Sequence, residues 1–157
     1  MACMVRPAVP RDFLAIAALD RIVWTGEHDR FIPDGEHVWR VWCEYAHVWV
    51  VESPALPEGP WAPMAGAALT FPTATGELFL HKIFVHPACA GQGIGTALMR
   101  AALDAAAAPV LLTVNPANAR AVALYHKMGF TTRAEIAGYY RPNEDRLLLE
   151  WTPQPVC

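Results

Sequence analysis

Apolar residues in the first third of the chain recur at helical spacing in two segments. The segment "RDFLAIAALDRIV" places apolar residues on one helical stripe, which predicts a first helix. The segment "PDGEHVWRVWCEYA" predicts a second helix that begins at Pro33 and Asp34. The stripe of the first helix comprises Phe13, Ile16, Ala17 and Leu19, and that of the second comprises Val38, Trp42 and Tyr45.

Short apolar or alternating runs predict the strands. A strand is expected from Met4 to Ala8, ended by prolines, and the run "VLLTV" is apolar throughout, which suits a buried position in a sheet. The other predicted strands are "HVWVVES", "MAGAALTF", "GELFLHKIFVH", "FTTRAEIAGYY" and "DRLLLEW". The last two of these are expected to form an antiparallel pair around the turn "RPNED".

Two further helices follow the glycine-rich middle of the chain. One helix is predicted for "GIGTALMRAALDAAAA" and ends at Pro109. The other is predicted for "ANARAVALYHKMG", and Gly129 caps its C-terminal end. Six or seven strands and about four helices in mixed order, without an internal repeat, predict an α/β (α+β) fold. Its sheet is expected to be mixed and mostly antiparallel.

Composition narrows the class of protein. The 157 residues, 54% of them hydrophobic and 17% charged, predict a single globular domain over residues 1–157. A net charge of -3, with Lys82 and Lys127 as the two lysines, argues against a nucleic-acid-binding face. We expect no membrane partner, because no run has the length of a membrane span or the pattern of a signal peptide. The four cysteines form no C-x-x-C pair, a pattern that is typical of a protein in the reducing cytoplasm and not of a disulfide framework or a zinc site.

The stretch "VHPACAGQGIGTALM" places Gly91, Gly93 and Gly95 between a predicted strand and a predicted helix. The first turn of a helix offers unpaired N–H groups, and glycines let an anion approach the backbone closely. The P-loop motif is absent, and G-x-G-x-x-G fails because Thr96 stands where its last glycine is required. From the glycines alone, an anion site and a helix end packed closely on a strand both remain open.

The paired segments "LFLHKIFVHPACAGQGIGTALMRAAL" and "LLTVNPANARAVALYHKMGF" resemble the GCN5-related N-acetyltransferase (GNAT) superfamily, over Leu78 to Phe130. The resemblance implies the GNAT fold, with acetyl-CoA as co-substrate and no metal. It implies that backbone groups of one strand meet the pantetheine arm and that the glycine loop wraps the pyrophosphate. The implied cofactor residues are Ile83, Phe84, Val85, Gly91, Gln92, Gly93, Ile94, Gly95, Thr96, Asn118 and Tyr125.

The glycine loop departs from the family pattern at one position. Ala90 stands where the family has Gln or Arg, so a charge-assisted contact to phosphate is missing, which is typically worth ~1.5–3 kcal/mol. We expect weaker cofactor binding but not its loss, because backbone donors do not depend on the side chain. Arg120 is a candidate to compensate.

Acetyl transfer to an amine requires a base for the ammonium proton and an acid for the departing thiolate. The resemblance places Tyr125 near the sulfur as the acid, since a phenol with a pKa of ~10 holds its proton at neutral pH. His81 shares a strand face with Ile83 and Val85, and it resembles the catalytic histidine of the serotonin N-acetyltransferase branch. Glu77, acting through water, is an alternative base.

A second resemblance fits only in part. The same motifs with "GYYRPNEDRLLLEW" are similar to the ribosomal-protein N-terminal acetyltransferases, whose glutamate base corresponds here to Thr113. A threonine cannot act as a base at neutral pH, so protein N-termini become one acceptor class among several. Tyr139 and Tyr140 either line the acceptor side or pack on the sheet, and a metal site at His86 and Cys89 lacks further ligands.

The acceptor itself stays open. Trp24, Trp39, Trp42, Trp49 and Trp61, with Glu27, His28, Asp29 and Glu36, allow an aromatic pocket for a cationic amine, but core packing of most tryptophans is favoured. The leading hypothesis is an acetyl-CoA-dependent N-acetyltransferase acting on a small-molecule or peptide amine. The alternatives are a non-catalytic CoA-binding regulatory or sensor module, and an enzyme with another acyl group or a hydroxyl acceptor. The superfamily's default implies a homodimer.

Overall fold

A computed structural model describes residues 3–24 and 33–155 of the chain. Within these residues, seven strands form one sheet in the order β1-β2-β3-β4-β5-β7-β6. None of the described helices is both long and apolar enough to cross a lipid bilayer. In chain order the elements are β1 (Val5–Pro7), α1 (Phe13–Trp24), α2 (Glu36–Tyr45), β2 (His47–Glu52), β3 (Met64–Pro72), β4 (Leu78–Val85), α3 (Ile94–Asp104), β5 (Val110–Val114), α4 (Ala119–Lys127), β6 (Thr131–Ile136) and β7 (Arg146–Trp151).

The chain folds as two compact units, and it passes from one to the other twice. Unit 1 takes the chain up to Phe71 and then Lys82–Ala105. Unit 2 comprises Pro72–His81 and the chain from Ala106 onward. The first half of β4 therefore belongs to unit 2 and the second half to unit 1.

Unit 1 contains the antiparallel strands β1, β2 and β3, with Trp49 opposite Ala68. One apolar cluster joins β2 and β3 to α1 and α2 around the fully buried Trp39, whose ring meets that of Phe84 edge-on at 5.9 Å. A second cluster joins the sheet to α3. Gly66 permits this close approach, because a Cβ built there would lie 2.9 Å from Cγ2 of Ile94.

Unit 2 confirms the prediction for the apolar run "VLLTV", which forms the buried strand β5. This strand pairs with β4 in parallel at Leu78 and with β7 in antiparallel fashion. β6 and β7 form the predicted antiparallel pair. Gly129 follows α4 with a φ of 103°, and a Cβ there would come within 3.3 Å of the Trp151 ring, so this position favours glycine.

The structure confirms the mixed α/β fold but corrects two details of the helices. In α2 the buried side chains are Trp39 and Cys43, whereas Val38 and Tyr45 of the predicted stripe are 41% and 78% exposed. Trp42 of the predicted stripe packs against the same core cluster as Trp39, so the buried face is shifted from the predicted one rather than opposite to it. α3 ends at Asp104 rather than at Pro109, because the alanines that follow bring no further apolar side chain to the core.

Candidate active site

The glycine loop of unit 1 lies between the end of β4 and the start of α3. After β4 a 3-10 turn at Pro87–Cys89 leads to Gly91 and Gly93, whose φ angles are 75° and 79°. Gly93 caps α3 in the left-handed conformation, with no side chain satisfying the first turn. The first intrahelical bond of α3 runs from the Ala97 N–H to the Gly93 carbonyl.

The backbone donors of this loop have no acceptors among the described residues. None of the N–H groups from Gly91 to Thr96 donates a hydrogen bond to another described residue. A Cβ built on Gly91 or on Gly93 would meet nothing within 4 Å, so the space beside both glycines is open. Unpaired donors, an open approach and the positive end of a helix dipole together suit a phosphate group.

The predicted cofactor residues at the end of β4 have side chains on both faces of the strand. The side chain of Phe84 is buried against Trp39, whereas Ile83 and Val85 pack against the cluster that contains Ile94. Cγ2 of Val85 lies 3.7 Å from the position that a Cβ of Gly95 would occupy. The structure thus brings the end of β4 and the first turn of α3 together. Ala90, the departure from the family pattern, is exposed and carries no polar side chain.

Asn118 begins α4 in unit 2, where its side chain has a structural role. Its Oδ1 accepts a hydrogen bond from the backbone N–H of Ala121 at 3.2 Å, which is the usual N-cap arrangement. The residue is exposed, and its side-chain NH₂ group has no acceptor among the described residues. Asn118 therefore caps the helix with its oxygen and keeps its amide donors available.

Tyr125 lies two helical turns after Asn118 on the same helix. Its ring meets that of Phe130 at 5.9 Å with an interplanar angle of 60°. Burial raises the pKa of the Tyr125 phenol above its ordinary value of 10.0, because the charged phenolate is poorly solvated there. The side chain therefore keeps its proton at neutral pH, as a proton donor must.

His81 and Glu77, the two predicted candidates for the base, belong to unit 2 and differ in environment. His81 is half-buried on β4. The Glu77 carboxylate accepts from the Thr75 hydroxyl and, at 2.9 Å, from the Thr73 hydroxyl. These hydrogen bonds, that of Thr75 first, lower the pKa of Glu77 below its ordinary value. Glu77 is therefore a weaker base than an ordinary glutamate, and its carboxylate stabilises the turn between β3 and β4.

Several other predicted residues have structural roles. Nδ1 of His86 accepts from the Ala88 N–H at 3.0 Å and caps the 3-10 turn, while Cys89 is buried. Within residues 3–24 and 33–155, no three His, Cys, Asp or Glu side chains cluster as metal ligands. The two tyrosines of the hairpin loop, Tyr139 and Tyr140, are exposed and pack edge-on at 4.8 Å.

The tryptophans of the predicted acceptor region have different surroundings. Trp39 is fully buried and Trp61 is 42% exposed, while Trp24, Trp42 and Trp49 are half-buried. The prediction of core packing therefore applies most clearly to Trp39. Of the carboxylates named with them, Glu36 pairs with Arg21 at 3.5 Å. Glu27, His28 and Asp29 lie outside the described residues.

Sequence reasoning missed the buried ion pair between Asp20 and Lys82 in unit 1. Asp20 on α1 is fully buried, and both of its carboxylate oxygens accept from Nζ of Lys82 on β4, at 2.9 and 2.8 Å. Lys82 follows His81 directly in the chain. An aspartate within an apolar helical stripe was the available signal, but its partner lies 62 positions away.

The sequence model of the acetyltransferase (GNAT) family matches residues 16–130 of this chain. The chain is 38% identical over 119 residues to a mycothiol acetyltransferase of Beutenbergia cavernae, an alignment that covers 73% of this chain and 37% of that protein. It is 40% identical over 93 residues to the peptidyl-lysine N-acetyltransferase YjaB of Salmonella typhimurium, covering 55% of this chain and 62% of the relative. The chain thus spans less than two thirds of both relatives.

The fold is shared with solved structures at low sequence identity. The structure of yncA from Salmonella typhimurium, a candidate acetyltransferase with its cofactor acetyl-CoA, superposes with a TM-score of 0.78 at 18% identity. This superposition covers 100% of the present chain and 97% of the other. The fold, the glycine loop that opens α3 and the family match over residues 16–130 lead to one conclusion: this chain belongs to the acetyltransferase (GNAT) family.

Proposed function

We propose that this chain transfers an acetyl group from acetyl-CoA to a primary amine by direct attack in a ternary complex. The observation that carries the proposal is the run of backbone N–H groups from Gly91 to Thr96, which lack acceptors within the part of the chain that the structure describes and lie beside two glycines with open space. A pyrophosphate satisfies such donors, and acetyl-CoA supplies the activated acetyl group as a thioester. The structure of yncA, which shares the fold, carries this cofactor.

Each candidate residue has a defined role in the proposal. The loop from Gly91 to Thr96 holds the pyrophosphate through its N–H groups, and the backbone of Ile83 to Val85 contacts the pantetheine arm. The amide NH₂ of Asn118 is a further cofactor contact. These contacts do not depend on Ala90, which is why the missing cationic side chain is expected to weaken binding without abolishing it.

Two side chains move protons in the proposal. His81 accepts the proton that the ammonium must lose, because only the neutral amine is nucleophilic. Tyr125 donates its proton to the departing thiolate, and the raised pKa of its phenol keeps it in the acid form. Glu77 is left out as the base, because hydrogen bonds from Thr75 and Thr73 lower its pKa.

We propose a primary amine as the acceptor and name no narrower class. One relative is named as a mycothiol acetyltransferase and another as a peptidyl-lysine N-acetyltransferase, so small-molecule amines and peptide lysines are both tested. We include a cytoplasmic location in the proposal, since Cys3, Cys43 and Cys89 are free thiols, as is usual in a reducing compartment. The single domain and the homodimer stay predictions.

Calorimetry with acetyl-CoA tests the proposal, followed by measurement of free-thiol release with three acceptor panels. The panels are small-molecule amines, peptides with a free N-terminus and no lysine, and N-terminally blocked peptides with one lysine. We expect acetyl-CoA binding, with thiol release on one panel. Tyr125→Phe is the matched control, because it should bind acetyl-CoA but release thiol slowly. Binding without release on any panel favours the sensor module, and absence of binding contradicts the assignment of the loop.

A further inference from the structure

A buried ionic cluster in unit 1 joins three segments of the chain and has no role in the proposed chemistry. We call it the Lys82 cluster, and it consists of Asp20, Asp34, Trp39 and Lys82. Asp20 is fully buried, and the Lys82 side chain is 11% exposed. Asp20 accepts from Nζ of Lys82, from Nε1 of Trp39 at 3.0 Å and from the backbone N–H of Asp34 at 2.9 Å.

Lys82 completes the cluster from strand β4. Its Nζ lies 2.9 Å from Oδ2 of Asp34 and 5.6 Å from the centre of the Trp24 ring. One ammonium group thus contacts the C-terminal part of α1, the segment before α2 and the middle of β4. Every polar group of Asp20 has a partner, so the cluster has a single well-defined arrangement.

Stability alone does not account for such a cluster. Replacing a buried ion pair by apolar side chains of similar volume is often neutral or stabilising, because both charges must lose their hydration. Buried ionic networks instead define one arrangement of the segments that they join. Here the joined strand carries residues of the proposed site on both sides of Lys82, which are His81 and Ile83.

Strand geometry separates the two functions of β4. Successive side chains point to opposite faces, so Lys82 lies on the face of Phe84, which packs with α1 and α2. Ile83 and Val85 point to the other face, where they pack with Ile94 of α3. A constraint on Lys82 therefore fixes the backbone of β4 without occupying the face that carries Ile83 and Val85.

We propose that Lys82 is a positioning residue for acetyl transfer, which holds the β4 backbone at His81 and Ile83 through its contacts with Asp20 and Asp34. The inference rests on the proposed function. Its main consequence is kinetic: loss of the cluster lowers kcat more than acetyl-CoA affinity, because the loop from Gly91 to Thr96 keeps its donors for the pyrophosphate and only the pantetheine contact at Ile83 is weakened. Misplacing reacting groups by about 1 Å can cost on the order of 100-fold in rate.

The test uses the double variant Asp20→Asn/Lys82→Met. Asparagine retains an oxygen for Trp39 and for the Asp34 N–H, and methionine has nearly the length of lysine. Both fully or nearly buried charges are thus removed together, and Asp34, which loses its ammonium partner, is 29% exposed to solvent. We expect kcat to fall at least ~10-fold while Kd for acetyl-CoA changes less than ~3-fold. Amide hydrogen exchange between Lys82 and Val85 should become faster.

A matched control removes a partly buried ion pair of unit 1, in which Arg6 is 34% exposed. Arg6 and Asp12 form a two-bond pair at 2.8 and 3.1 Å, with Asp12 5% exposed, but this pair joins β1 to a 3-10 turn and not to β4. Arg6→Met/Asp12→Asn should leave kcat within ~2-fold of wild type, since no residue of the proposed site adjoins it. An equal loss of kcat in this control would overturn the inference, as would a kcat within ~2-fold in the Lys82 variant.

Two further measurements cover the remaining outcomes. If the double variant does not fold, Asp34→Asn carries the test, because this residue is 29% exposed and keeps its backbone donor. An unchanged kcat in Asp34→Asn then overturns the inference, and a ~3-fold loss supports it. If the wild-type protein transfers no acetyl group, the proposed function fails by itself. Amide exchange in β4 then decides whether the cluster positions the strand.

Discussion

The helices α3 and α4 both follow a strand and a loop, yet their first turns are opposite in chemistry. α3 begins at Gly93 in the left-handed conformation, and neither a side-chain cap nor acceptors for the N–H groups from Gly91 to Thr96 occur among the described residues. α4 begins at Asn118, whose side chain satisfies the Ala121 N–H. A helix start without a cap is costly unless a ligand or water occupies it.

The two helices also differ in how they are held. Ile94, Leu98 and Met99 of α3 are buried, so its open first turn is supported by a well-packed body. α4 has no fully buried residue, and its stability depends more on its cap. The comparison supports the proposal that an anion binds at the start of α3, whereas Tyr125, the proposed proton donor, lies on the capped helix α4.

The largest effect is expected from Gly93→Glu, which makes the open helix start anionic. The carboxylate fills the space beside the loop and repels phosphate, so acetyl-CoA affinity should fall at least ~100-fold, or ~2.7 kcal/mol. Gly76→Glu is the matched control, because Gly76 also has a positive φ, 96°, and open space, but lies in the turn before β4. Calorimetry that finds the same affinity in both variants would place the phosphate elsewhere.

Tyr125→Phe examines the chemistry assigned to α4. Turnover should fall ~100-fold while acetyl-CoA affinity stays within ~2-fold, because a proton donor acts only during reaction. Since burial raises the pKa of Tyr125 above its ordinary value, any alkaline fall of wild-type kcat through this group should lie at higher pH than for an exposed phenol. Tyr45→Phe, at a 78% exposed position of α2, is the control for steady-state kinetics. Equal turnover in both variants would remove Tyr125 from the mechanism.

The variant His81→Asn tests whether His81, which belongs to unit 2, is the base that takes the ammonium proton. We expect kcat/KM to fall ~10-fold near neutral pH and the acidic limb of the pH–rate profile to flatten. His86→Asn is a fair comparison, since an asparagine oxygen can still accept from the Ala88 N–H. A profile for His81→Asn that matches the profile of wild type would return His81 to a structural role.

The smallest effect is expected at the capped helix start. Asn118→Ser keeps an oxygen for the cap but loses the NH₂ donors, so thermal stability should hold while acetyl-CoA affinity falls ~3-fold. Asn118→Ala should show the same affinity loss and also about 1 kcal/mol less stability by denaturant unfolding. If Asn118→Ser binds like wild type, the residue is a cap only.

The sequence by itself determined the features that depend on local chemistry. Helical and strand spacing located most of the elements, and Gly129 marked the end of α4, because a glycine adopts the positive φ that follows a helix at little cost. The motif from Leu78 to Phe130 led to the family. The residues of the candidate site were named through the resemblance of this motif to the family, and their roles stay proposals.

Only the tertiary structure decided which polar groups are buried and which helix face packs inward. The pairing of Asp20 with Lys82 joins residues 62 positions apart, and no local pattern identifies such a partner. α2 carries apolar residues on two sides, so its packing against the sheet selected Trp39 and Cys43 over Val38 and Tyr45. The raised pKa of Tyr125 likewise depends on burial, which arises from the packed surroundings and not from the residue type.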